Sequence, residues 1–576
     1  MPMPDVRKWL ILVFLGIGIY LYLWGVVYYG WFTHSLEAFE QAPWFILQVL
    51  FEGNDSSKIP LFNTGLITLL SMAVIVISAL HAKSQRNLYG DAHFARENEI
   101  QTAGLRAKQG ILLGKYRWRF LSHDGDGHVL AYCPPGSGKG VGLVIPNLLN
   151  WPGSVVCLDI KNENFNKTSG FRQQHGQQCI LFNPSDPEGR TFSYNPLDVI
   201  DPGSPTRIND VQKIAYILWP RHNDKGDIWN PSARSLFIAT VLLQFDRVPG
   251  DTCIGDVLRF FNSATDIVGT IEEIVDVDHD LDSSCLRGFR GFLQKSEKER
   301  SGVLSSLRAG LELWENPLVD AATSRSDFDL TQLRTNPMSV YVGVTPDNIE
   351  RMEPLLNMFF QQVIDLLTRK EPGDNEPHSV LMLLDEFTSL GRLSIVEKGI
   401  AYLRSYQVRV MPIIQGITQL DDKYGVAAAK SFRQNFKIKY ISAPNDLETA
   451  REVSGMLGFK TMRTTNKSRQ YPSGHSSVST SLAKRELMLP HEVMQLKAKK
   501  AIVFIEASSP VLADKIVYYK SRIFKQRLLD PVSIPTVSLR TLSDRRTRLE
   551  EQYPGDAGTT NEASDAEIEE AMEVFQ

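Results

Sequence analysis

Cysteine is scarce in this chain, and the little there is follows no pattern. Five cysteines, Cys133, Cys157, Cys179, Cys253 and Cys285, are scattered over 576 residues without paired spacing. That excludes a zinc ribbon, a dithiol redox motif and a disulfide framework, and the five read as reduced core residues. Net charge is also small: 62 Lys and Arg stand against 66 Asp and Glu, a balance of −4, so the surface as a whole is not that of a general polyanion binder. Charge is missing entirely from Leu10 to Phe32 and from Ile59 to Leu80. Each run is long enough to cross a bilayer as a helix, and no small-residue cleavage pattern follows the first, which argues against a secretory leader.

The flanks of these runs are basic, with Arg7 and Lys8 before the first and His81, Lys83 and Arg86 after the second. The stretch between them, 33–58, carries Glu37, Glu40, Glu52 and Asp55 against Lys58. The positive-inside rule then makes 1–85 a membrane anchor of two transmembrane helices, 10–32 and 59–80, with both chain termini cytoplasmic and 33–58 on the far side.

Past the anchor, the segment Cys133-Pro-Pro-Gly-Ser-Gly-Lys-Gly140 lies between an apolar run, 128–133, and a helical-looking one, 141–149. A strand, a glycine loop holding a lysine and a helix together form the setting of a phosphate-binding loop. Backbone N–H groups of Gly136, Ser137, Gly138 and Lys139 would face the anion, as would the helix start at Gly140 and Val141, and Lys139 would reach the β- and γ-phosphates. The usual pattern has Gly where Cys133 stands and Ser or Thr where Gly140 stands. The missing hydroxyl means that Mg²⁺ must be held through water and by carboxylates elsewhere. Alone, the loop leaves an ordinary strand-to-helix turn as the lesser alternative.

A second motif decides between these. Ser379-Val-Leu-Met-Leu-Leu-Asp-Glu386 is a fully apolar run ending in two acids, the Walker B arrangement of a buried parallel strand. Asp385 is placed to hold the water shell of Mg²⁺, and Glu386 to orient and polarise the attacking water. The pair implies hydrolysis of ATP rather than binding alone.

Further apolar strands are expected at 154–160, 178–182, 338–344, 408–414, 436–442 and 501–506, most of them separated by helical segments, which predicts a largely parallel sheet covered on both faces. Between about 195 and 335 strands stop, and Ala233–Leu243 and Gly302–Trp314 show helical spacing. The expected organisation is an anchor at 1–85, a nucleotide domain in two parts, 86–194 and 336–540, an all-α domain inserted at 195–335, and an acidic tail at 541–576.

The chain resembles the TraG/VirD class of type IV secretion coupling proteins, conjugative inner-membrane ATPases. The likeness rests on Gly136-Ser-Gly-Lys-Gly-Val-Gly142 with Ile145 and Pro146 behind it, Leu158-Asp-Ile-Lys161, Ser193-Tyr-Asn-Pro-Leu-Asp198, Leu384-Asp-Glu-Phe387 followed by Gly391 and Arg392, and Ile413-Ile-Gln415. It spans nearly the whole chain, and members of the family often have Gly where Gly140 stands. The resemblance implies a RecA-like α/β P-loop domain assembling as a homo-hexamer, a multi-pass place in the bacterial inner membrane, and ATP and Mg²⁺ as cofactors. It also implies partners: relaxase-linked single-stranded DNA, relaxosome proteins, and the ATPases and inner-membrane components of the secretion channel. In such a ring Arg404 takes the position of an arginine finger reaching a neighbour's γ-phosphate, with Arg409 and Arg433 as rivals. Gln415, at a strand end, would face the nucleotide crevice and sense the γ-phosphate. Asp159 and Lys161 end a strand taken to lie beside the loop strand, and could order the site.

The work done with the ATP is open between two classes, a motor that moves DNA and an ATP-dependent receptor for protein substrates. A chromosome-segregation translocase is a third reading, but it calls for a DNA-reading winged-helix module at the C-terminus, which the acidic, Gly/Pro-containing tail does not resemble. From Glu550 onward there are nine acids and no base, leaving the remainder net positive, with Ile568, Met572 and Phe575 at helical spacing as a docking stripe or part of a solubilising tail. Lys460, Arg463, Lys467, Arg469, Lys484 and Arg485 flank 470–482, a Ser/Thr/Gly-rich stretch expected to be a mobile loop and a candidate DNA contact.

Overall fold

The computed structural model describes residues 19–20, 23–24, 68–69, 88–221, 228–264, 266–277, 280–469 and 476–539. They fall into two compact units, Met1–Ala92 with Gly458–Glu486, and His93–Leu457 with Leu487–Gln576.

The larger unit is built on one eleven-stranded sheet. Its strands are β1 (Ile111–Tyr116), β2 (Arg119–His123), β3 (Val129–Tyr132), β4 (Ser154–Asp159), β5 (Gln178–Phe182), β6 (Met338–Gly343), β7 (Val380–Leu384), β8 (Val408–Ile414) and β9 (Ile438–Ile441), followed after an excursion by β12 (Lys500–Ile505) and β13 (Val511–Asp514). The spatial order is β2-β1-β13-β12-β9-β3-β8-β7-β4-β6-β5. Seven strands, from β9 to β5, run parallel, and four antiparallel strands extend one edge. The apolar runs are continuous because both faces are covered. Leu130, Tyr132, Val156, Leu158, Met382 and Leu384 point into one core, while Val129, Ala131, Val155, Cys157, Leu381 and Leu383 point into the other.

This order corrects one expectation. β4, which carries Asp159, is separated from the loop strand β3 by β8 and β7, so Asp159 and Lys161 do not flank the loop strand. All five cysteines are buried and unpaired with one another.

Among the described residues between β5 and β6 there is no strand, and the chain runs through helices including Arg207–Leu218, Asn230–Arg247, Ile254–Ser263, Ser283–Leu293 and Glu297–Leu311. Phe237, Phe260, Phe289 and Leu307 from these helices share the core of one sheet face.

In the smaller unit, β10 (Phe459–Arg469) and β11 (Ser476–Glu486) pair antiparallel over eleven residues each. The stretch expected to be a loop from 470 to 482 is therefore strand from Ser476 on, because alternating Ser, Thr and Val residues suit an extended ladder better than a free loop. The segment at 89–92 joins its base, through Ala92 N–H to Phe459 O at 3.0 Å and Thr461 N–H to Gly90 O at 3.1 Å. Gly90 has φ +134, and a Cβ there would sit 2.4 Å from the Phe459 carbonyl oxygen, so this join requires glycine.

The expected multi-pass inner-membrane location is corrected. Among the described residues no helix is long and apolar enough to cross a membrane. The longest, Ile349–Thr368, carries Glu350, Arg351, Glu353 and Asp365, which the bilayer interior would not accept unpaired. The runs 10–32 and 59–80, apart from residues 19–20, 23–24 and 68–69, lie outside the described residues, as does the tail at 541–576.

Candidate active site

Three neighbouring parallel strands, β3, β8 and β7, end on the same edge of the sheet, and the candidate residues lie just past those ends. The loop after β3 turns back on itself, with Ser137 N–H on Pro134 O at 3.1 Å and Gly142 N–H on Gly138 O at 2.8 Å. Gly136 and Gly138 have φ +74 and +77, and a Cβ on either would meet nothing within 4 Å. Their glycine identity is thus set by backbone conformation and not by crowding. Gly140 also has open space around it, so that position lacks a hydroxyl but not the room for one. The following helical turns begin as a π-turn, Gly140–Val144, and continue as Ile145–Leu148.

Past β7, Asp385 and Glu386 converge on the loop lysine. Lys139 Nζ lies 2.8 Å from Asp385 Oδ1 and also donates to Glu386 Oε2. Burial opposes the Lys139 charge, but the two carboxylates together hold its ammonium above the ordinary lysine range. Burial pushes the Asp385 carboxyl up, against the pull of Lys139 and with a smaller push from Glu386. Glu386 itself sits in the left-handed region, φ 67 and ψ 51. Such a backbone costs a non-glycine residue on the order of 1–3 kcal/mol. It is pinned by Ser389, whose N–H and hydroxyl reach the Glu386 carbonyl at 3.0 and 2.7 Å.

Past β8, Gln415 donates its side-chain amide to Glu386 Oε1. Lys139, Asp385, Glu386 and Gln415 are thus in one cluster, together with the loop 136–141. The cluster fits a magnesium nucleotide: an open backbone cradle, a cation poised over it, a half-buried acid pair and, in the loop, a buried Ser137 Oγ without a protein partner.

Arg404 is elsewhere. It lies in a 3-10 turn, Leu403–Tyr406, and this turn precedes β8. Gln415 follows that seven-residue strand, so about 23 Å of strand separates Arg404 from the loop of its own chain. Its ion pair, to Asp126, is loose at 3.8 Å, and the side chain is 32% exposed. The rivals are more firmly held. Arg433 is buried against Asp421 at 2.9 Å and Glu452 at 3.5 Å, and Arg409 lies over the Trp151 ring while donating to Asp124 O at 2.7 Å.

Asp159 performs a different task from the one expected. Its carboxylate accepts the N–H groups of Asn164 and Phe165 at 3.2 and 2.8 Å, at the start of the helix Glu163–Gln174. Burial pushes it up to about 7, against those bonds. Lys161 is exposed, and only its backbone N–H reaches back, to Asp159 O at 3.0 Å.

One residue at the site gave no signal in the sequence. Lys515, just past β13, donates to Ser137 O at 2.9 Å, and burial draws its ammonium below the ordinary range. Its neighbour Ile516 backs the loop, since a Cβ on Gly142 would come within 3.1 Å of the Ile516 carbonyl. Only the antiparallel return of β13 brings Lys515 here, and no local motif marks it.

A family model described as type IV secretory system conjugative DNA transfer matches residues 83–540. Protein VirD4 of Agrobacterium fabrum is 33% identical over 482 residues, covering 81% of this chain and 71% of that protein. The conjugal transfer protein TraG of Escherichia coli is 27% identical over 576 residues, covering 88% and 90%. Among solved structures, the bacterial conjugative coupling protein TrwB lacking its first 70 residues has the same fold, with a TM-score of 0.54 at 20% identity over 74% of this chain and 96% of that one. TrwB in complex with ADP and Mg²⁺ aligns with a TM-score of 0.52 at 19% identity, covering 74% and 96%.

Proposed function

Since the chain belongs to the type IV secretory system conjugative DNA transfer family, we propose that it is the coupling ATPase of such a system, one that recruits a relaxase-linked DNA and powers its transfer by hydrolysing ATP. The observation that carries the reading is the cluster of Lys139, Asp385, Glu386 and Gln415 at the adjoining ends of β3, β7 and β8.

In this reading the N–H groups of 136–141 cradle the phosphates, and Lys139 exchanges its two carboxylates for β- and γ-phosphate oxygens. Mg²⁺, when bound, neutralises charge on the β- and γ-phosphates, and Asp385 would hold it through water, since Gly140 offers no hydroxyl. Once Lys139 turns to phosphate, Glu386 is free to accept a proton from the attacking water and to aim it in line. Gln415 keeps one Glu386 oxygen oriented, so the amide registers whether the carboxylate is engaged with lysine or with water. Arg404, remote from its own loop, acts on the nucleotide of a neighbour in a homo-hexamer, where a guanidinium stabilises charge spreading over the phosphoryl oxygens. Relaxosome proteins and the channel's ATPases and inner-membrane components are the partners of this role.

The test is ATPase activity of the full-length protein with and without single-stranded and duplex DNA. Stimulation by DNA is expected. A rate indifferent to both would leave an ATP-dependent receptor for protein substrates in place of a DNA motor.

A further inference from the structure

The β10–β11 ribbon takes no part in the site above, yet its charge is one-sided: six Lys and Arg against one acid, Glu486, over its two strands. In an antiparallel ladder directly opposed residues share a face, as do alternate residues along a strand. The register pairs Thr461 with Lys484, Arg463 with Leu482, Lys467 with Val478 and Arg469 with Ser476. Arg463, Lys467, Arg469 and Lys484 therefore occupy one face, at intervals of about 7–13 Å along a strand. The other face opens with Lys460 directly opposite Arg485, passes Met462 opposite Ala483, and continues through Thr464, Asn466, Ser468, Ser477, Ser479 and Ser481.

We propose that this ribbon is a docking surface for duplex DNA, held through its phosphates. The inference deepens the DNA-transfer reading above and rests on it. Charge complementarity selects a polyanion. The hydroxyl and amide residues are uncharged donors of the kind that contact phosphate and sugar. A two-stranded ribbon has the width that the major groove of B-form DNA admits. Among the described positions of both strands the only aromatic residue is Phe459, at the base, with Lys484 Nζ 3.6 Å over its ring. Those described positions therefore offer phosphate-directed donors and not the row of aromatic rings on which single-strand binders stack bases.

The experiment compares full-length wild type with the variant Arg463→Gln, Lys467→Gln, Arg469→Gln, Lys484→Gln, measuring binding of a fluorescent duplex of arbitrary sequence across a salt series. With four phosphate contacts removed, the slope of log K against log salt should shrink by about 3.6, and affinity at moderate salt should fall tenfold or more. A second variant that exchanges Arg for Lys and Lys for Arg at the same four positions should keep the wild-type slope. Nucleotide binding should be unchanged in both, which excludes misfolding as the cause. Duplex binding and slope equal to wild type in the Gln variant would overturn the ribbon assignment while leaving the DNA-transfer reading standing. Loss confined to a single-stranded probe would overturn the choice of duplex. A wild type that binds neither form would count against the DNA-transfer reading itself.

Discussion

Gln415 and Glu386 are joined by a side-chain hydrogen bond that spans the ends of two adjacent parallel strands, β8 and β7. The second Glu386 oxygen accepts from Lys139, so a single carboxylate connects three strand ends. Gln415→Ala removes one of these connections without touching the loop. Nucleotide affinity should stay within about twofold while turnover falls about tenfold or more, the usual size of a lost orienting contact to a general base. Equilibrium binding of a fluorescent nucleotide beside steady-state ATPase measures both. A fall in affinity with unchanged turnover would make Gln415 a binding residue instead.

Lys139 balances two acids, Asp385 and Glu386. Lys139→Ala should abolish nucleotide binding and also destabilise the free protein by about 3 kcal/mol, because Asp385 and Glu386 lose their cation in a half-buried setting. Adding Asp385→Asn should restore much of that stability without restoring binding. Denaturant melts of the three proteins give the comparison, and no recovery in the double variant would contradict the charge argument.

Arg404 stands at the opposite edge of the sheet from its own loop. Arg404→Ala should lower turnover about 10³-fold with little change in nucleotide affinity. Mixed with Lys139→Ala protein it should regain activity, since some boundaries then pair an intact loop with an intact arginine. ATPase of the mixtures across ratios is the readout, and absence of rescue would place the arginine's action within one subunit.

His128 is buried at the start of β3, with Nε2 on the Ile400 carbonyl at 2.9 Å and Nδ1 accepting Val410 N–H at 3.1 Å. Burial draws its pKa down to about 4, so the folded protein keeps it neutral while the unfolded chain protonates near 6.5. The resulting stability is complete above pH 6.5 and is lost as pH falls toward 4, by about 3 kcal/mol in all. His128→Gln should flatten the pH profile of stability in that window. Parallel melts of wild type and variant between pH 4 and 7 decide it, and coincident slopes would show that His128 does not carry the dependence.

The parallel strands were legible because each is buried on both faces and so reads as an unbroken apolar run, as at 380–384 and 155–158. Of the antiparallel extension only β12 was, as the apolar run at 501–506. β1 contains Gly114 and Lys115, and β13 is only Val-Leu-Ala-Asp, so neither declares itself locally. The loop and the acid pair were recognisable because their chemistry fixes both residue types and context. Strand order is a long-range property, and for that reason Asp159 was placed beside the wrong strand and Lys515 went unseen. The basic ribbon was taken for a loop because Ser and Thr suit turns and ladders equally well, and only pairing tells them apart.

The central claim is that Glu386 activates water at a site where Lys139 and the glycine loop hold ATP. Glu386→Gln tests it most directly, since the amide retains size and hydrogen bonding but cannot take a proton. Radiolabelled ATP should bind the variant as tightly as wild type and be retained unhydrolysed, with turnover reduced at least 10²-fold. Hydrolysis at the wild-type rate by the Glu386→Gln protein would contradict the assignment.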